Sequence, residues 1–274
     1  MRVPTPPHSR AFRATAVALL AIGSLVPFTA ARSQTISVSL SDNLVVLTDK
    51  QRSQALELVN LSEDPIEFNL TASKNANGKL PDGTSIVRWA PERALVQANR
   101  AVPMRVSSRM TPEMPPGEYM FKAFVRSDLH QAERRPVPSG QPGEEVPKDA
   151  VSMSIAIAPS LPVTVYVRHK IAAPMIDARP FVTTSGDEKF MGYFPVKKRQ
   201  PEYSFVGFVQ VVDKASNRTL NQGRLHLPPN SSGSTDSQVR VAWPANKDGL
   251  SGNYCLRIWD QFPASGSPAQ ETCG

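Results

Sequence analysis

The sequence predicts an all-β protein built from two β-sandwich domains in tandem, and three observations carry that prediction. Apolar residues alternate with polar ones at a period of two through most of the chain. Pro, Gly, Asn and Asp, including 26 prolines, break those runs at short intervals. The length of 274 residues, less an N-terminal leader, suits two domains of about 100–120 residues each.

The leader comes first. Arg2, Arg10 and Arg13 precede an apolar run from Ala14 to Phe28, and Ala31-Arg32-Ser33 offers a small-x-small cleavage site before Gln34. This is the pattern of a secretory signal peptide over residues 1–33. The run is shorter than the roughly 20 residues of a membrane span, and Pro27 interrupts it. The leader carries four Arg and no acid, so the net charge falls from +7 to +3 without it. That balance gives no ground for nucleic-acid binding. The longest basic run, Lys197-Lys198-Arg199, reads as a solvated loop. The expected product is soluble and exported.

The strands follow in order. Ile36, Val38 and Leu40 alternate with Ser, Leu44–Leu47 is apolar throughout, and Ala55–Leu61 alternates up to a turn at Ser62-Glu63-Asp64-Pro65. Ile66, Phe68 and Leu70 resume the alternation, and residues 75–83 form a loop. Ile86–Trp89, Ala94–Val96 and Val102–Val106 are short strands, and Pro115-Pro116-Gly117 turns into a strand over Glu118–Arg126. Residues 127–150 are rich in Pro, Gly and charge and poor in large apolar side chains, which predicts a mobile loop. Val151–Ala158 is the most regular strand, and Leu161–Val167 extends it to Arg168. These elements make an N-terminal domain over residues 34–169. A second domain over residues 170–274 takes strands at Phe181–Thr184, Glu202–Val212, Arg218–Leu227, Gln238–Trp243 and Gly252–Asp260.

An internal repeat supports the division. Met104-Arg105-Val106 precedes Gly117-Glu118-Tyr119, and Val239-Arg240-Val241 precedes Gly252-Asn253-Tyr254, with Arg and Tyr 14 residues apart in both. A Tyr just after such a turn fits the corner that pins a loop in immunoglobulin-like sandwiches. Cys255 and Cys273, the only two cysteines, read as a local disulfide tying down the tail.

Catalytic chemistry finds little support. His8 lies in the leader, His130 in the loop and His169 at a strand end, where it should be solvated, and no His sits in a recognisable nucleophile arrangement. There is no G-x-S-x-G elbow, phosphate loop or H-E-x-x-H motif. We expect no catalytic residue, no metal, no cofactor and no enzyme activity. The strand at 151–158 is more informative. Val151, Met153, Ile155 and Ile157 project to one side, and Ser152, Ser154, Ala156 and Ala158 to the other. Such a face can pack on its own core, or it can fill pockets in a partner while the main chain pairs with an open sheet.

Five motifs in this order resemble the PapD-like periplasmic chaperones of chaperone–usher fimbrial assembly. They are Ile36-Ser-Val-Ser-Leu40, Leu56-Glu-Leu-Val-Asn60 with its turn to Pro65, Met104-Arg-Val106, Pro116-Gly-Glu-Tyr119, and Met153-Ser-Ile-Ala-Ile157 closing at Val165-Tyr-Val-Arg168. The resemblance covers residues 36–168 and implies two immunoglobulin-like domains at an angle. It also implies a function. Val151, Met153, Ile155 and Ile157 would enter the groove of a fimbrial subunit that lacks a strand, and the complex would pass to an outer-membrane usher. The exposed strand also offers a route to self-association. The family's two basic anchors for the subunit's terminal carboxylate fall at Leu44 and Thr164, neither of which is basic. Arg168 and Arg105 are then the candidate anchors. The extra Pro159-Ser160-Leu161-Pro162 is a further departure. The alternative reading is a structural or adhesive tandem module of the cell surface, with 151–157 as core.

Overall fold

The computed structural model describes residues 37–73, 80–128, 159–229 and 236–274, and every regular element among them is a strand. The first sandwich contains β1 (Val38–Leu40), β2 (Leu44–Thr48), β3 (Ser53–Asn60), β4 (Ile66–Ser73), β5 (Val87–Ala90), β6 (Arg93–Val96), β7 (Arg100–Ser108), β8 (Gly117–Asp128) and β9 (Ser160–His169). The second contains β10 (Ile176–Ala178), β11 (Val182–Thr183), β12 (Phe190–Lys198), β13 (Phe205–Asp213), β14 (Thr219–Leu227), β15 (Asp236–Ala242), β16 (Tyr254–Trp259) and β17 (Gln270–Cys273).

In the first sandwich a sheet of order β1-β3-β7-β5 faces one of order β2-β9-β8-β4-β6. The chain changes sheets between Leu40 and Leu44, so β1 pairs antiparallel with β3 while β2 pairs parallel with β9. A turn at Ser41-Asp42-Asn43 makes the crossing, and the Asp42 carboxylate accepts the Leu44 N–H at 2.9 Å. The period-two alternation sets the core: Leu56 and Leu58 from β3, Met104 and Val106 from β7, Phe121, Ala123 and Val125 from β8, and Val163, Val165 and Val167 from β9 pack together. Eighteen buried residues belong to this cluster, including Phe68 and Trp89.

The second sandwich opposes a sheet in which β12 pairs with β10, β11 and β15 to one of order β14-β13-β16-β17. Its core joins Phe194 and Val196 to Val209, Val211, Val239, Val241, Leu256 and Ile258. Strands β10, β12 and β17 lie outside the strands expected from sequence. Lys197 and Lys198 therefore lie in a strand rather than a solvated loop. Lys198 is buried, and its Nζ donates to the carbonyls of Pro201 (3.0 Å), Tyr203 (2.9 Å) and Pro228 (2.5 Å). Backbone carbonyls from neighbouring loops solvate that ammonium inside the protein.

Cys255 and Cys273 form a disulfide between directly paired residues of β16 and β17. Of the repeated tyrosines, Tyr119 donates to the Pro115 carbonyl at 2.9 Å, which is the expected loop-pinning corner. Tyr254 behaves differently and turns into the second core, edge-on to Phe181 at 4.8 Å between ring centroids.

Candidate functional site

Three features of β8 and β9 meet where the two sandwiches touch. Odd-numbered residues of β9 fill the first core, so its even-numbered residues project from the opposite face. Antiparallel pairing with β8 sets Arg168 opposite Glu118, Tyr166 opposite Met120 and Thr164 opposite Lys122 on that outer face. The second sandwich covers the first two rows.

The Arg168–Glu118 row is a buried polar network. Arg168 Nε donates to Glu118 Oε2 at 2.9 Å and its Nη2 donates to the Ser204 carbonyl at 2.8 Å. Ser204 returns its N–H to Glu118 Oε1 at 2.7 Å and its hydroxyl to Oε2 at 2.9 Å. Glu118 is 1 % exposed and Arg168 4 %, so charge leaves water here only because each group is paired and hydrogen-bonded. The Tyr166–Met120 row is apolar and packs with Leu44, Leu80 and Val206. Burial, and next the Glu118 charge, hold the Tyr166 phenol above its ordinary pKa, and its oxygen lies 3.1 Å from His226 Nε2. His169, expected in solvent, is buried instead, with Nδ1 2.8 Å from Asp49 Oδ1. The Lys170 N–H, and then His169, hold the Asp49 carboxyl below its ordinary range.

The third row leads out of the covered region. Leu44, Thr164 and Lys122 are neighbours across β2, β9 and β8. Leu44 is buried and Thr164 and Lys122 are half-buried. Beyond this row β2 has ended. The Thr164 N–H donates to the Asn43 carbonyl at 2.9 Å, and no further pairing joins the two strands. Among the described strands, Ser160–Val163 pair with β8 alone. Counting back from Thr164, the main-chain groups of Ser160 and the carbonyl of Pro162 face the open side.

That open edge borders a groove between the sandwiches. Val38, Leu40, Leu161 and Pro162 line one wall, and Phe262 and Arg224 the other. Arg224 forms an ion pair with Asp42, donates to Asn43 Oδ1 at 3.2 Å, and stands 5.2 Å from the Phe262 ring centroid. Phe208 lies edge-on to Trp259 at 5.5 Å and extends the aromatic wall.

The expected donor residues Val151, Met153, Ile155 and Ile157 lie outside the described residues. Of the two candidate anchors, Arg168 is engaged by Glu118 and Ser204. Arg105 is exposed on β7, in the sheet on the far side of the core, between Ala55 and Ala90. Lys122, which sequence reasoning missed, stands one strand over from Thr164. The β8–β9 register signals it, and register appears once the strands are aligned.

No protein-family model matches the chain, and no curated protein matches it. Solved structures with a similar course include a chain of the Salmonella enterica SafA pilin–SafB chaperone complex, with TM-score 0.43, 13% identity, and 88% of this chain and 97% of that chain covered. The E. coli chaperone DraB is similar at TM-score 0.41 and 11% identity, over 81% of this chain and 90% of that one. The Pseudomonas aeruginosa CupB2 chaperone follows at 0.36 and 12%, over 80% and 92%. At scores of this size the fold rests on the strand pairing above.

Proposed function

We propose that this chain is a periplasmic chaperone that holds fimbrial subunits lacking a strand by lending them a strand of its own, and delivers them to an outer-membrane usher. One observation carries the reading: among the described strands β9 loses its β2 neighbour before Thr164, so the first half of β9 has no strand partner on that side, beside a groove that Val38, Leu40, Leu161, Pro162 and Phe262 help to line. Val151, Met153, Ile155 and Ile157 lead into that edge. Their odd numbering continues the phase of Leu161, Val163 and Val165. A strand in this position gives affinity through main-chain hydrogen bonds and specificity through alternate side chains. Four such side chains, at roughly 1.5–3 kcal/mol each on full burial, would dominate the affinity. On this reading the chain catalyses nothing.

Lys122 suits the role that Leu44 and Thr164 leave open. It carries the cation of that row and could pair with a subunit's terminal carboxylate at the mouth of the covered region. The donor strand is tested by co-expressing the chain with a pilin subunit that lacks its final strand. Ile155→Asp with Ile157→Asp should leave the chaperone folded and abolish recovery of the subunit from the periplasm. Unchanged subunit yield with a folded double variant would sink the proposal.

A further inference from the structure

The outer face of the β10–β12–β15 sheet carries a groove that strand lending does not use. Tyr193, Pro195 and Lys197 alternate outward along β12. Register places Arg240 opposite Tyr193, Gln238 opposite Pro195, and Asp177 opposite Lys197. The Arg179 N–H donates to the Pro195 carbonyl at 2.9 Å, which sets Arg179 on the other flank of the same proline. Pro195 is short and its neighbours are long, so it becomes a low floor between raised side chains.

Cations outnumber acids around that floor, although register sets Asp177 and Asp236 on either side of Lys197. Arg179, Lys197 and Arg240 are all exposed, and no described carboxylate forms an ion pair with any of them. Asp177, the acid lining the groove, is engaged by Arg199 at 2.7 Å. Arg240 stands 5.6 Å from the Phe190 ring centroid and feels the Asp187 carboxylate at a distance, with no direct ion pair between them. Asp187 receives the Phe190 and Lys189 N–H groups, which, with smaller help from the Arg240 charge, hold its carboxyl below the ordinary range.

We propose that this groove docks an extended, acidic segment of a partner protein, with Arg179 and Arg240 pairing with its carboxylates across the Pro195 floor. Guanidinium groups suit this because they hold carboxylates in a planar, two-toothed geometry. A lipid surface fits less well: the groove is concave, and its one aromatic residue, Tyr193, is half-buried rather than raised for insertion. The site is independent of the strand-lending edge, so either can fail alone.

The test uses the full chain and a fluorescein-labelled hexaglutamate peptide, read by fluorescence polarisation at low ionic strength. Arg179→Glu with Arg240→Glu should weaken binding by about tenfold or more, and Arg179→Gln with Arg240→Gln by a smaller factor in the same direction. Both positions are exposed, and circular dichroism should show the fold unchanged. Arg88→Glu with Arg100→Glu on the first sandwich changes net charge equally and should leave binding unaltered. The proposal is overturned by any of three results: no binding by the natural chain, equal loss in the Arg88/Arg100 control, or binding to anionic phosphatidylglycerol vesicles but not to the peptide.

Discussion

Removing either charge from the Arg168–Glu118 pair should destabilise the chain, and removing both should cost far less than the two single losses added together. Glu118→Ala leaves a guanidinium that is 4 % exposed with the Ser204 carbonyl as its remaining acceptor in the network. Arg168→Ala leaves a carboxylate that is 1 % exposed with the Ser204 donors alone. Breaking a buried pair from one side costs about 3–5 kcal/mol, because the other charge stays out of water without compensation. Glu118→Leu with Arg168→Met removes both charges and keeps apolar volume, so it should cost far less than the two single changes together. Urea unfolding of the natural chain, both single variants and the double variant gives all the terms. Ser204 belongs to the second sandwich, so the single variants should also separate the unfolding of the two sandwiches into distinct transitions. Single variants that each cost under about 1 kcal/mol, or a double variant that costs their sum, would refute this account of the interface.

Two further predictions concern the second sandwich. Ser251 and Ser216 donate side-chain and backbone hydrogen bonds to Asp213, with the hydroxyls at 2.5 and 2.7 Å, and hold its carboxyl far below the ordinary range. A depressed carboxyl contributes stability above its unfolded pKa and loses it as pH falls, so stability should decline from about pH 5 downward, and Asp213→Asn should flatten that decline in thermal scans. Replacing both Cys255 and Cys273 by Ser opens a crosslink spanning 18 residues and should lower stability by about 3 kcal/mol, measured by urea unfolding against the natural chain.

Alternation made much of the fold legible. Leu56 and Leu58, or Val163, Val165 and Val167, repeat at the period of a pleated strand, and each set lies inside the core. Strand β12 escaped because its pattern is broken. Gly192 and Pro195 interrupt it, and the register shifts between Phe190 and Gly192. Its last inward position is Lys198, a residue that signals solvent unless the carbonyls of Pro201, Tyr203 and Pro228 are known to surround it. Strand β17 is short and polar, and its pairing with β16 is what defines it. At the candidate site the sequence carried the alternating apolar face of residues 151–157, which is proposed for donation, and the absence of a basic residue at Leu44 and Thr164. It did not carry the burial of Arg168, because Ser204 lies 36 residues away, or the placing of Lys122, because that depends on register between strands.

Amide hydrogen exchange tests the lending of the strand most directly, measured on the free chain and on its complex with a pilin subunit that lacks its final strand. The account predicts that the amides of residues 151–158, together with the Ser160 N–H, slow by at least about tenfold in the complex, since a donated strand pairs with the subunit's sheet over that stretch. Unchanged exchange over that stretch, with slowing confined to another surface, would contradict it.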